Sequence, residues 1–141
     1  MNSVESRLSS MLLKDIAESL FMGVNLVRVP KNSQGTSKAP VIHVKDVVDG
    51  LLPEIEALDH ISLPGTPQYR RQRLLPDDLL VSARGTLMKC AIVPASHRDA
   101  VASSNFIVIR LGSAAPLRTE LLYAFLRQRA VQAQFLSRAG S

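Results

Sequence analysis

The sequence predicts an α+β domain: one twisted sheet of short mixed or antiparallel strands, with helices at its N- and C-terminal ends. Three observations predict it. Apolar residues recur at helical spacing near both ends, glycine and proline cut the middle into short β-prone runs, and 141 residues suffice for one core and not for two. Hydrophobic residues make up 46% and charged residues 21%, which excludes a disordered tail or a fibrous repeat. With no internal repeat and no linker, residues 1–141 read as a single domain.

Leu12, Leu13, Ile16, Ala17 and Leu20 share one helical face, so residues 11–20 are predicted as an amphipathic helix stopped by Gly23. VNLVRVP (24–30) is a short β-prone run, with Val27 and Val29 flanking Arg28. KNSQGTSKAP (31–40) has no periodicity and reads as an exposed polar loop; VIHV (41–44) is a strand, and Val47 to Gly50 a turn. Residues 51–68 read as an irregular surface stretch that ends in LPGTP. Tyr69 to Arg73 is a basic loop, Leu74 to Asp78 a turn, and LLVSA (79–83) a strand. MKCAIVP (88–94) returns, making 79–94 a hairpin closed around Gly85. HRDAVASSN (97–105) is a polar loop and FIVIRL (106–111) the most strand-like segment. At the end Leu122, Leu126, Ala130 and Ala133 line one helical face beside Leu121 and Phe125, as one long helix or two short ones.

No apolar stretch nears the ~18 residues of a membrane span, and MNSVESRLSS lacks the basic start and apolar run of a secretory signal. A cytoplasmic protein with no membrane partner is expected, and the lone Cys90 fits a reducing compartment. The net charge of +5 is unevenly placed: residues 1–68 carry six basic and eight acidic side chains, residues 69–141 eleven basic, ten of them arginine, and four acidic. Arginine grips phosphates and guanine edges through a planar fork, so the second half leans toward nucleic acid, unless its charge is only a solvated surface. With no tryptophan and 4% aromatics, base-stacking platforms are not its main device.

Catalytic groups are missing from the pattern. His43, His60, His97 and Cys90 show no metal-ligand spacing, and the glycine-rich phosphate loops and the GxSxG elbow are absent. Pro76-Asp77 could open a nuclease carboxylate motif, but no acidic residue is followed two positions later by lysine, so Asp77-Asp78 reads as a turn before a strand. The Asn/Asp-Pro-Pro-aromatic tetrapeptide of adenine methyltransferases is also absent. A non-enzyme without metal or cofactor is expected.

Three segments taken in order carry a resemblance: Leu13-Lys14-Asp15-Ile16-Ala17-Glu18 with Gly23, Val41-Ile42-His43-Val44-Lys45-Asp46-Val47, and Leu75-Pro76-Asp77-Asp78-Leu79-Leu80-Val81-Ser82-Ala83-Arg84-Gly85-Thr86. Ala102-Ser103-Ser104-Asn105-Phe106-Ile107-Val108-Ile109-Arg110 follows as a core strand, and Leu122 to Leu126 with Val131 to Gln134 as a closing helical segment. Together they resemble the target recognition domain of type I restriction-modification specificity subunits. Where that family carries glycine ahead of the aspartate that enters the central strand, this chain has Asp77, and where the family has two recognition domains it has one. The resemblance implies a non-catalytic subunit that reads half of a bipartite target on double-stranded DNA and positions methyltransferase and restriction subunits there. A protein-binding assembly or decoy module that keeps the fold without reading DNA is the alternative. The resemblance also implies pairing with a second copy or a partner, for which Leu117 to Leu136 would be the interface unless Leu122, Phe125 and Leu126 pack into their own core.

The candidate DNA contacts follow from residue type. Tyr69, Arg70, Arg71 and Arg73 form the densest basic cluster and suit phosphates, or form a solvated loop. Lys31, Gln34, Thr36 and Lys38 lie on a polar loop able to enter a groove. Arg84 either faces DNA or shapes the hairpin turn, and Ser103, Ser104 and Asn105 either donate to phosphates or tie their loop to the next strand.

Overall fold

The computed structural model describes residues 17–31, 35–82, 88–113, 115 and 118–128. Seven strands form two sheets: β1 (Ala17–Met22), β2 (Ser37–Ile42), β3 (Asp59–Leu63), β4 (Leu79–Ser82), β5 (Cys90–Ile92), β6 (Val101–Ala102) and β7 (Phe106–Leu111). A short helix α1 covers Pro67–Arg71, and a second, α2, covers residues 119–128. The α+β class holds, with the sheet divided in two.

The larger sheet has the order β1-β7-β4-β5, antiparallel throughout; the smaller has the order β3-β2-β6, with β2 and β6 parallel. β7 carries apolar residues on both faces because both are covered, with Arg110 the one charged exception. Phe106 and Val108 face the smaller sheet and meet Ile42, Ala102 and Leu80, while Ile107, Ile109 and Leu111 pack with Leu122, Tyr123 and Leu126 of α2. A third cluster, Val24, Val29, Ala39, Val41, Leu63 and Val101, fills the far side of the smaller sheet, where Tyr69 of α1 packs. Gly23 N donates to Phe106 O, continuing the β1–β7 ladder, and Val24 N donates to Ala102 O of β6, joining the two sheets. A Cβ on Gly23 would overlap the Ser103 carbonyl, so this crossing requires glycine.

Several expectations need correction. Residues 17–20 are strand, not helix, because β7 offers them a full antiparallel ladder, and tertiary pairing overrides a weak local preference; residues 11–16 lie outside the described set. A register shift between Ala17 and Ser19 turns Phe21 toward Val108 and the intersheet core, leaving Leu20 and Met22 exposed. Leu26–Arg28 forms a 3-10 turn rather than a strand, with Val27 in solvent. Part of the expected 31–40 loop is β2, which holds Pro40; β6 reaches only Val41 and Ile42, so at Pro40 that side of β2 has no ladder to break. β3 lies in the stretch expected to be irregular, the expected basic loop is α1, and part of the expected 97–105 loop is β6. The β4–β5 hairpin forms as expected, with Arg84 and Gly85 outside the described residues. Asp77 takes φ 71°, a conformation in which glycine is favoured. Leu122 is buried in its own core, and Leu126 packs beside it.

Candidate functional site

α1 begins at Pro67, whose fixed φ suits the first helical position, and runs for little more than one turn. That turn separates the basic cluster. Tyr69 points inward and packs on the smaller sheet, whereas Arg70 and Arg71 are exposed and their guanidinium groups have no hydrogen-bond or ion-pair partner among the described residues. Both arginines line an open groove of about 790 Å³. Its walls are α1 with Gln68, Gln72 and Arg73 on one side and Ser19, Leu20 and Phe21 of β1 on the other; Leu75, Asp99 and Arg110 complete it.

Arg73 is a strap. Its Nη1 donates to Asp99 O at 2.8 Å and its Nη2 to Ser37 Oγ at 2.7 Å, tying the end of α1 to β2. Behind it lies a buried ion pair that no sequence motif marks. Arg110 Nε and Nη2 each donate to the Asp78 carboxylate at 2.8 Å, and Nη2 also reaches Arg73 O at 3.1 Å. Asp78 is 1% exposed and accepts the Leu75 N–H as well. The Arg110 guanidinium stands 5.5 Å from the Phe21 ring centroid. The Asp78 hydrogen bond, reinforced by its charge, holds the Arg110 pKa above its ordinary value. Arg110 is legible in hindsight: it shares the face of β7 that carries Phe106 and Val108, where an unpaired charge would be costly.

The fold brings some predicted residues together and separates others. Arg70, Arg71 and Arg73 share the groove. Lys38 is exposed beside Ser37, the Arg73 partner, and the Gly35 carbonyl stands against Gly65 just ahead of α1, so Gly35 and the start of β2 border the same region. Lys31 and Thr36 are exposed; Gln34 lies outside the described residues, as does Arg84. Ser103 is buried, its N–H donates to Ile42 O, and its hydroxyl has no partner among the described residues, so its place is in the intersheet junction and not on a surface. Ser104 and Asn105 sit half-buried in the β6–β7 turn, closed by Phe106 N to Ser103 O, and do not line the groove.

The histidines take separate roles. His97 is buried, with Nδ1 2.8 Å from Ser96 Oγ and Nε2 2.8 Å from Pro53 O, while His43 lies 3.4 Å from Asp59. Among the described residues no three His, Cys, Asp or Glu side chains gather as metal ligands, and no helix is long and apolar enough to cross a membrane. Comparison of the chain with protein-family models and with curated proteins finds no match in either.

Proposed function

We propose that the chain binds double-stranded DNA sequence-specifically, as a target recognition module of the type I restriction-modification kind. One observation carries the reading: among the described residues the guanidinium groups of Arg70 and Arg71 stand unpaired on one wall of an open groove, and its described lining includes a single carboxylate residue, Asp99. Two exposed guanidinium groups carried side by side on one helical turn suit adjacent backbone phosphates, because neutralising those phosphates releases condensed counterions. The order of motifs from Leu75 to Arg110 supports the family assignment, and so does Asp77, whose positive φ suits the place where the family carries glycine. In this reading the module contributes recognition and leaves DNA methylation and restriction to partner subunits.

The test is duplex binding as a function of salt. Replacing Arg70 and Arg71 by alanine should weaken binding on every sequence and lower the slope of log K against log salt by about 0.9 for each phosphate no longer neutralised, near 2 for the pair. Arg73 is left in place because its loss would also release α1 from β2. An unchanged slope would remove the groove from the interface, and no duplex binding at low salt would overturn the proposal.

A further inference from the structure

We infer that Gln68 reads a base, making it a specificity-determining residue of the groove; the inference rests on the duplex-binding reading above. Base recognition requires a side chain that offers a donor and an acceptor together, both unoccupied, on an element rigid enough to hold them. The polar groups of the groove can be sorted by that requirement. Arg73 is committed to Asp99 and Ser37, and Arg110 to Asp78. Gln72 donates to Met22 O at 3.3 Å, and its Oε1 is buried. Arg70 and Arg71 are donors only, Asp99 is an acceptor only, and Ser19 carries donor and acceptor on one oxygen rather than side by side as a base edge presents them. Gln68 is exposed, lines the groove and makes no hydrogen bond among the described residues, so its whole amide is available.

Its direction follows from the helix. Gln68 and Gln72 are four residues apart and share a face, and the bond from Gln72 to Met22 turns that face toward β1, the opposite wall. Arg71, three residues on, stands beside it. One turn of helix therefore presents a phosphate-binding cation next to a free carboxamide. A carboxamide pairs in bidentate fashion with the N6 and N7 edge of adenine, so the expected readout is one A·T base pair within the target.

The test is selection of duplexes from a randomised library by the full chain, followed by salt titration on the selected sequence. Wild type should enrich a short site, and Gln68→Ala should lose its preference at one A·T position by about tenfold while keeping the salt slope. If wild type enriches nothing, the duplex-reading proposal falls and takes this inference with it. If wild type enriches a site and Gln68→Ala enriches the same one, Gln68 is not a reader, although the module still is. A uniform loss across all sequences with an intact circular dichroism spectrum would make Gln68 an anchor and overturn base reading. Gln68→Met, which keeps the length of the stem, replaces the alanine variant if that variant unfolds.

Discussion

Asp78 and Arg110 provide the sharpest test of how this fold is held together. The Asp78 carboxylate accepts three hydrogen bonds of 2.8 Å, two from Arg110 and one from Leu75 N, and its side chain is 1% exposed against 18% for Arg110. Asp78→Asn removes the charge, keeps the shape and turns an amide N–H toward groups that are themselves donors. Breaking a buried pair from one side costs ~3–5 kcal/mol, and because Arg110 retains some access to water we expect the lower end, about 3 kcal/mol. Arg110→Met strands the carboxylate instead, in a more deeply buried position, and should cost at least as much. In the double variant neither charge remains, so the loss should fall short of the sum of the two single losses by about 2 kcal/mol or more.

Urea unfolding of the four proteins measures each term, and a loss of this size is a large fraction of the ~5–15 kcal/mol of an ordinary domain. The pH dependence is fixed in sign. The Arg110 pKa is raised in the folded state, so its contribution is fully present below the ordinary guanidinium value and is lost only in strong alkali. Single losses below 1 kcal/mol, or strictly additive ones, would refute the buried-pair account and leave the arrangement an incidental contact.

Two further outcomes follow from the packing. Gly23→Ala should cost ~3 kcal/mol or more, since the added methyl meets the Ser103 carbonyl where the sheets join; thermal unfolding reads this, and a loss below 1 kcal/mol would mean the crossing can yield. Burial pushes the Cys90 thiol up to about 11, with Arg127 offsetting part of the shift. Because the folded pKa lies above the unfolded one, this contribution is present below about pH 9 and declines toward pH 11. Native protein at pH 8 should therefore label with a thiol reagent only as fast as it opens, and rapid stoichiometric labelling would contradict the burial.

How far the fold could be read from sequence depends on whether each element's own period survives in the chain. β7 reads directly because Phe106 to Ile109 is an unbroken apolar run of β-prone residues, and the β4–β5 hairpin because its two runs are short and separated by a turn signal. β1 is hidden for a specific reason. The register shift after Ala17 places Ala17 and Phe21 on opposite faces of the sheet although four residues separate them, so the alternation that marks a strand is broken within its first turn of pleat. What remains visible is the spacing from Leu12 to Leu20, which mimics a helix. α1 is too short to show any period, and only Pro67 announces it.

The site is legible in the sequence as charge and illegible as geometry. Tyr69 to Arg73 stands out as one basic block, yet one helical turn assigns its members to three tasks: Tyr69 to the core, Arg73 to Ser37 and Asp99, and Arg70 and Arg71 to the groove. Counting cations therefore overstates the guanidinium donors free for a polyanion, since those of Arg110 are taken up largely by Asp78 and those of Arg73 by the Asp99 carbonyl and the Ser37 hydroxyl. Gln68 carries no charge and falls outside the basic block, so no compositional signal marks it. Its candidacy arises only because β1, absent from the predicted strands, supplies the wall that α1 faces. The hidden strand and the unmarked glutamine thus have one cause, because a helix over residues 17–20 would leave the two arginines on an open surface, with no groove for a carboxamide to read into.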